Sequence, residues 1–471
     1  MDSLLKAVDV LKHKLDAARP LAGKKILEAV DTEYTYDNNR IEGNTLTLRE
    51  TDIIVNKGLT VGGKSMREHL EAVVQPCSHS THLPHYLIMD TANNLFTETI
   101  INGLSLKNRF IRAATWEGLA TPEGAVTPKL IDRMVSLAKG GVGLIISSHA
   151  YVSKEGQGTP RQIGIHEDGL VNGLKEMTSA VHENGGKILI QLAHAGQYAA
   201  TDLTELPALT VSPFSSANDV PYEEITKEDI SSLILSYAQV AKRAKDAGFD
   251  GIQLHSAHGY LLSQFLSPAY NYYRTDEYGG DIKNRTRIHR EILQAIRETV
   301  GKDYPVFIKM NCADFIENGL EADDSLQAAK IFTDAGVDAI EVSGGIIRSG
   351  KLSPSRPGIT TREKEAYFRE YAQKMKAAIS IPLILVGGIK SFEIASEIIA
   401  EGIADYISMS RALIREPDLI HRWKNGDHRP AQCKSDNLCF TPGFEGKGVY
   451  CVTREIEEKK NSACNIKNEY S

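Results

Sequence analysis

The sequence predicts an α/β protein of the (β/α)8 TIM-barrel class, preceded by a helical N-terminal appendage. Three observations predict it. Short apolar runs with strand character alternate with helical stretches eight times between residues 96 and 425. The runs end in polar residues and glycines, as strands of a parallel barrel do where they reach a ligand-binding mouth. No Gly-x-Gly-x-x-Gly turn follows an early strand, so a doubly wound open sheet, the other alternating fold, lacks its phosphate loop.

The totals bound the function. The 471 residues are 42% hydrophobic and 24% charged, ordinary for a globular protein, and the net charge of -7 argues against a nucleic-acid partner. No apolar run reaches the roughly 18 residues of a membrane span. The start, Met1-Asp-Ser-Leu-Leu-Lys6, lacks the basic-then-apolar pattern of a signal peptide. Six scattered cysteines fit a reduced, cytoplasmic protein. A small-molecule substrate is the expected partner, and homo-oligomerisation is left open.

Residues 1–73 read as helical. Leu4, Leu5, Val8, Val10, Leu11 and Leu15 supply apolar positions, and Thr47 with Glu50 has capping-box spacing. The stretch Glu33-Tyr-Thr-Tyr-Asp-Asn-Asn-Arg-Ile-Glu-Gly-Asn44 resembles the N-terminal part of Fic-domain proteins. Glu42-Gly43 match the end of that family's inhibitory Ser/Thr-x-x-x-Glu-Gly/Asn motif, with Asn38 where Ser or Thr is expected. The family's His-Pro-Phe catalytic loop is nowhere in the chain, so the resemblance implies an inhibitory or docking fragment without its enzyme. Residues 74–94 read as a linker: two prolines and no periodicity, with His79, His82, His85 and Cys77 at spacings that match no tetrahedral metal set.

The eight strand-like runs are Phe110 to Thr115, Val142 to Ser148, Lys187 to His194, Gly251 to Ser256, Val306 to Cys312, Ala339 to Ser343, Leu383 to Gly388 and Tyr406 to Arg411. Between the third and fourth, Asp229 to Ala247 reads as a helix. Ile230, Leu233, Ile234, Tyr237, Ala241 and Ala244 share one face, and Gly248 ends it. The strand ends carry the chemistry. After strand four come His255, His258 and Tyr260, two hydrogen-bonding imidazoles and a proton-donating phenol within six residues. Strand three ends in Gln191-Leu-Ala-His-Ala-Gly196, strand five carries Lys309, and strand six ends in Ser343-Gly-Gly345. Gly388 after strand seven and Ser410-Arg411 after strand eight place backbone N–H groups and a guanidinium where barrels hold phosphate.

Residues 95–425 resemble the old yellow enzyme family of FMN-dependent ene reductases and NADH:flavin oxidoreductases. The segments that carry the resemblance are Leu104-Ser-Leu-Lys-Asn-Arg109, Gln191 to Gly196, His255-Ser-Ala-His-Gly-Tyr-Leu-Leu262, Phe265-Leu-Ser-Pro268 and Arg274-Thr-Asp-Glu-Tyr-Gly-Gly280 with Asn284-Arg285. The resemblance implies an FMN-binding barrel that transfers hydride from NADPH or NADH, via flavin N5, to an activated alkene. It implies that Gln191 bonds the flavin pyrimidine edge. Lys309 would stabilise the reduced anionic ring, where many relatives have Arg. Gly345, Gly388 and Arg411 would hold the phosphate, with Ala114, Thr115 and Ser410 as further cofactor-binding residues. His255 and His258 would polarise the substrate carbonyl, and Tyr260 would protonate the α-carbon. Trp116 stands where relatives have a small residue, Gln197 replaces a common Arg, and the spacing from Pro268 to Arg274 is one residue long.

Residues 426–471 read as a C-terminal lid and tail. A branch of the same family binds a [4Fe-4S] cluster here through four cysteines. This chain has Cys433, Cys439 and Cys451, with Asp436 in the fourth position, so a degenerate site without a metal is expected. Two readings compete with the reductase: an interaction or regulatory protein acting through the Fic-like segment, and an aldolase using Lys309 as a Schiff-base lysine.

Overall fold

The computed structural model describes residues 94–213 and 221–469, the last nine of these as backbone. The expectations for residues 1–73 and for the linker as far as residue 93 lie outside the described residues.

Eight parallel strands close into a barrel: β1 (Phe110–Arg112), β2 (Leu144–Tyr151), β3 (Ile188–Ala193), β4 (Gly251–Ser256), β5 (Val306–Asn311), β6 (Ala339–Ser343), β7 (Leu383–Val386) and β8 (Tyr406–Met409). Their order follows the chain, and β8 pairs with β1, which pairs in turn with β2. The helices between them are α1 (Pro128–Lys139), α2 (Val171–Glu183), α3 (Lys227–Asp246), α4 (Arg287–Val300), α5 (Ala322–Asp334), α6 (Arg369–Lys376), α7 (Phe392–Ala400) and α8 (Leu419–Lys424). The (β/α)8 expectation therefore holds.

Two apolar layers hold the barrel. The larger lies between sheet and helices, where residues such as Phe110, Ile190, Ile252, Phe332 and Trp423 are fully buried. The smaller fills the barrel's lower interior with Ile111, Leu144, Ile146, Leu189, Phe307, Ala339, Ile384 and Tyr406. A hairpin, Thr99–Ile101 with Leu104–Leu106, contributes Ile101, Leu104 and Leu106 to this inner layer and plugs that end. The other end is left for polar residues.

Local signals explain most element boundaries. Thr127 caps α1 by accepting from Leu130 N, with Pro128 at the first helical position. Helix α3 begins two residues earlier than predicted because Thr226 and Asp229 form a capping box. Gly248 leaves α3 at φ +82°, a conformation glycine adopts without strain. Strands β1, β7 and β8 stop earlier than predicted, freeing their polar ends to form the mouth. Strand β2 runs three residues further, to Tyr151, through a bulge between Ile146 and His149.

The tail, Cys433 to Cys451, packs back on the barrel. Cys439 and Val449 bury against Trp116 and Ile414, and the Phe444 ring lies 4.6 Å from that of Trp116. It ends in helix α9 (Val452–Glu469). Among the described residues, no helix is long and apolar enough to cross a membrane.

Candidate active site

A cavity of about 500 Å³ opens at the C-terminal ends of the strands, a size that suits a small-molecule ligand. Ala114, Thr115, Gln191, His255, His258, Tyr260, Lys309, Gly388, Ser410 and Arg411 all line it. Ten positions spread over some three hundred residues thus face one space.

Below it lies a buried polar network that ties strands β3, β4, β5, β6 and β8. Gln191 Nε2 donates to Gln253 Oε1 at 2.7 Å, and Gln253 Nε2 donates to Glu341 Oε2 at 2.8 Å. Ser408 Oγ donates to Glu341 Oε1 at 2.7 Å, and Lys309 Nζ pairs with the same oxygen at 3.1 Å. Lys309 and Glu341 are 3% and 0% exposed, so the pair is desolvated and its strength depends on these added hydrogen bonds. Gln253 and Glu341 were not among the sequence-predicted residues. They sit inside strands, where a polar residue's direction is visible only once the register is known.

Opposite β8, the ring of His255 lies 5.1 Å from that of His258 and 4.7 Å from that of Tyr260. His258 holds the left-handed conformation, φ +64°, with its N–H donated to Asn311 Oδ1 at 3.1 Å. That turn brings its Nε2 within 2.8 Å of Ser343 Oγ. Ser343 can donate to Nε2 and so leave the His258 proton on Nδ1. Burial first, and then the neighbouring His258, His149 and Lys309 charges, holds the His255 imidazole well below its ordinary pKa. Burial, Lys309 and His149 do the same to His258. Burial pushes the Tyr260 phenol up to about 12. The group is two neutral imidazoles and a protonated phenol, all hydrogen-bond donors at neutral pH.

A third imidazole joins them. The His149 ring lies 5.6 Å from that of Tyr260 and 6.3 Å from that of His255, and its Nε2 is buried without a hydrogen-bond partner. Sequence reasoning missed it for a physical reason. Strict alternation from Ile146, which faces the barrel interior, would turn Ser148 inward and His149 out. The bulge adds a residue, and His149 pairs with Gln191 instead. Burial, helped by Lys309, lowers its pKa to about 4. Burial lowers that of His289, behind β4 and bonded to Ser256 Oγ, to about 3.

These shifts fix a pH dependence. In the unfolded chain each imidazole titrates near 6.5. Below that pH the unfolded state takes up protons that the folded state refuses, so stability falls with pH from 6.5 to about 4 for His149 and to about 3 for His289. The expected loss is about 2 kcal/mol per imidazole by roughly pH 5. Urea midpoints followed from neutral to mildly acid pH check it, and His289→Gln should flatten the slope.

Gly345, expected on the phosphate side, does not line this cavity. Its N–H is donated to Ala313 O at 2.8 Å and its carbonyl accepts from Asn311 Nδ2 at 3.1 Å, so its backbone is already used. A Cβ there would lie 2.2 Å from Leu352 O, which is the local reason for glycine at φ +79°. Gly388 does line the cavity, at φ +72°, and a Cβ would meet the Tyr367 ring at 2.7 Å. Lys390 adds a second cation to Arg411 on this side of the mouth.

Trp116 both lines the cavity and carries the tail; its Nε1 donates to Pro160 O at 3.1 Å. In the long loop after β4, the Tyr270 hydroxyl meets that of Tyr198 at 2.7 Å, and Tyr272 and Tyr273 are exposed. Cys451 Sγ accepts from Arg415, Cys433 Sγ from Ser435 N, and the Asp436 carboxylate is taken by Leu438 N and Thr453 Oγ1. Among the described residues, no group of three His, Cys, Asp or Glu is placed to hold a metal ion.

Residues 94–430 match the model of the NADH:flavin oxidoreductase / NADH oxidase family. The chain is 36% identical to an NADH oxidase of Thermoanaerobacter brockii over 383 residues, 79% of this chain and 58% of that protein. It is 38% identical to an NADPH dehydrogenase of Geobacillus sp. over 324 residues, 69% of this chain and 91% of that protein. An old yellow enzyme homologue from Zymomonas mobilis superposes with a TM-score of 0.61 at 26% identity, covering 74% of this chain and 98% of that one. The chain thus spans little more than half of the longer relative and nearly all of the shorter ones. With a matching family model over most of its length and the barrel to go with it, this chain belongs to the NADH:flavin oxidoreductase / NADH oxidase family, the FMN-dependent old yellow enzyme group.

Proposed function

We propose that residues 95–425 form an FMN-binding barrel, with residues 426–471 as its lid, and that it moves hydride from NADPH or NADH to an activated alkene such as an α,β-unsaturated carbonyl compound. The observation that carries this reading is the meeting of His255, His258 and Tyr260 over one cavity with Gln191, Lys309 and Arg411.

The residues present fit the cofactor. Arg411 is 9% exposed, and no carboxylate among the described residues pairs with it, so it is a desolvated cation placed for an anion. The crowding at Gly388 leaves no room for a side chain, only for a close approach of backbone. His255 Nδ1 and His149 Nε2 are buried polar atoms left without partners. Arg411, Gly388 and Ser410 would hold the phosphate, Ala114 and Thr115 the adjoining wall, and Gln191 and Lys309 the ring's polar edge. When bound, FMN supplies the two-electron redox chemistry.

The protein's own groups do the rest. His255 and His258, held neutral, donate hydrogen bonds to the substrate carbonyl oxygen and stabilise the enolate charge that grows there. Tyr260 keeps its proton at neutral pH and gives it to the α-carbon. Lys309 sets a fixed positive charge in the floor, balanced by Glu341 in the resting protein. That ion pair also argues against the aldolase reading, since an ammonium is no nucleophile. The regulatory reading rests on residues 1–73, and nothing in the barrel supports it.

An anaerobic titration of the full chain tests the proposal. The protein should be yellow or take up added FMN in about a one-to-one ratio. NADPH or NADH should bleach the flavin, and a cyclic enone should restore the colour. A colourless protein that takes up no FMN overturns the reading.

A further inference from the structure

We propose that the C-terminal segment completes the phosphate side of the cofactor site, and that Asn437 is the positioning residue that orients Arg411 there. The inference rests on the FMN reading and goes beyond it, because it makes the tail part of the binding site.

Arg411 is anchored by neutral oxygens alone. Its Nη1 donates to Arg356 O at 2.9 Å and to Asn437 Oδ1 at 2.7 Å. A carbonyl and an amide hold the guanidinium in place without cancelling its charge. The Asn437 amide is fixed at both ends, since Nδ2 donates to Ser355 O at 2.7 Å while Oδ1 also accepts from Ser355 Oγ at 3.1 Å. Its backbone takes the left-handed conformation, φ +62°, which Asn tolerates better than most residues. An aspartate in this place would pair with Arg411 and leave nothing for a phosphate to neutralise.

The segment around Asn437 is docked on the same side of the mouth. Gly358 N donates to Ser435 O at 2.9 Å, Lys390 Nζ to Cys433 O at 3.4 Å, and Ala431 N to Lys390 O at 2.8 Å. Cys433, Ser435, Asn437 and Phe440 form part of the cavity wall. The tail therefore bridges Lys390, Arg411 and the Ser355 turn, adding to the direct bond between Arg411 and Arg356 O.

The test compares FMN with riboflavin, which lacks the phosphate, on the full-length apoprotein by flavin-fluorescence quenching. Asn437→Ala should raise the Kd for FMN by about 10-fold, the loss of one hydrogen bond to a charged group. Asn437→Asp should raise it further: it keeps an acceptor for Arg411, but its charge cancels that of the guanidinium. Riboflavin should bind both variants within about threefold of the parent, because the phosphate-side charge does not reach its ring. A purely structural role is overturned by that split. The proposal is overturned if either variant binds FMN like the parent, or if both flavins weaken equally. A parent protein that binds no flavin overturns the cofactor reading itself, and this proposal with it.

Discussion

Replacing His255 and His258 together by alanine is expected to lower kcat/KM for a cyclic enone by about 10²- to 10³-fold while FMN stays bound. The two rings face each other edge-on at 5.1 Å, close enough for one substrate oxygen to accept from both. Burial keeps them neutral, so what the variant loses is a pair of preorganised dipoles rather than a charge. The carbonyl gains negative character only as hydride arrives at the β-carbon, so the loss should fall on the transition state more than on the ground state. Flavin absorbance measures the bound cofactor, and steady-state rates with the enone measure the rest. Turnover within threefold of the parent would sink the role given to the pair, and co-loss of FMN would move these residues from substrate to cofactor.

The second large effect concerns the floor. Glu341→Leu is expected to cost roughly 3–5 kcal/mol of stability, because it leaves the Lys309 ammonium buried without its counter-charge. It also removes the acceptor of Gln253 Nε2 and Ser408 Oγ. For a domain of this size the melting temperature should fall by roughly 4–7 °C. The double variant Lys309→Met, Glu341→Leu should recover only the part of that loss due to the unpaired ammonium, because Gln253 Nε2 and Ser408 Oγ still lack their acceptor. It should not recover FMN reduction, because the positive charge in the floor is gone. If the single variant melts with the parent, the pair is hydrated in solution and the floor is not the sealed network described above.

The barrel was legible because its signals are local. An apolar run, a helical stripe and a terminal glycine each lie within one stretch of chain, and their repetition eight times leaves few folds. The trio after strand four was legible for the same reason: His255, His258 and Tyr260 are near neighbours in sequence, and the end of a parallel strand is where a barrel binds its ligand. Gly388 and Arg411 followed from their places after the last two strands.

Gly345 lies outside the cavity wall. The positive φ is real, but it serves a close approach to Leu352 O, and the N–H goes to Ala313 O. A glycine marks a backbone conformation and leaves open what its amide faces.

The sequence by itself determined the alternating barrel, the polar mouth and the imidazole pair with its phenol, all of which depend on residues close together along the chain. The tertiary structure alone decided what depends on register and on distant segments meeting. A single extra residue in β2 turned His149 inward; strand pairing laid Gln191, Gln253, Glu341 and Lys309 into one network; and the returning tail set Asn437 against Arg411. Side-chain direction in a strand reverses with each residue, and through-space partners carry no mark in the linear order, so such features become visible only when the chain is folded.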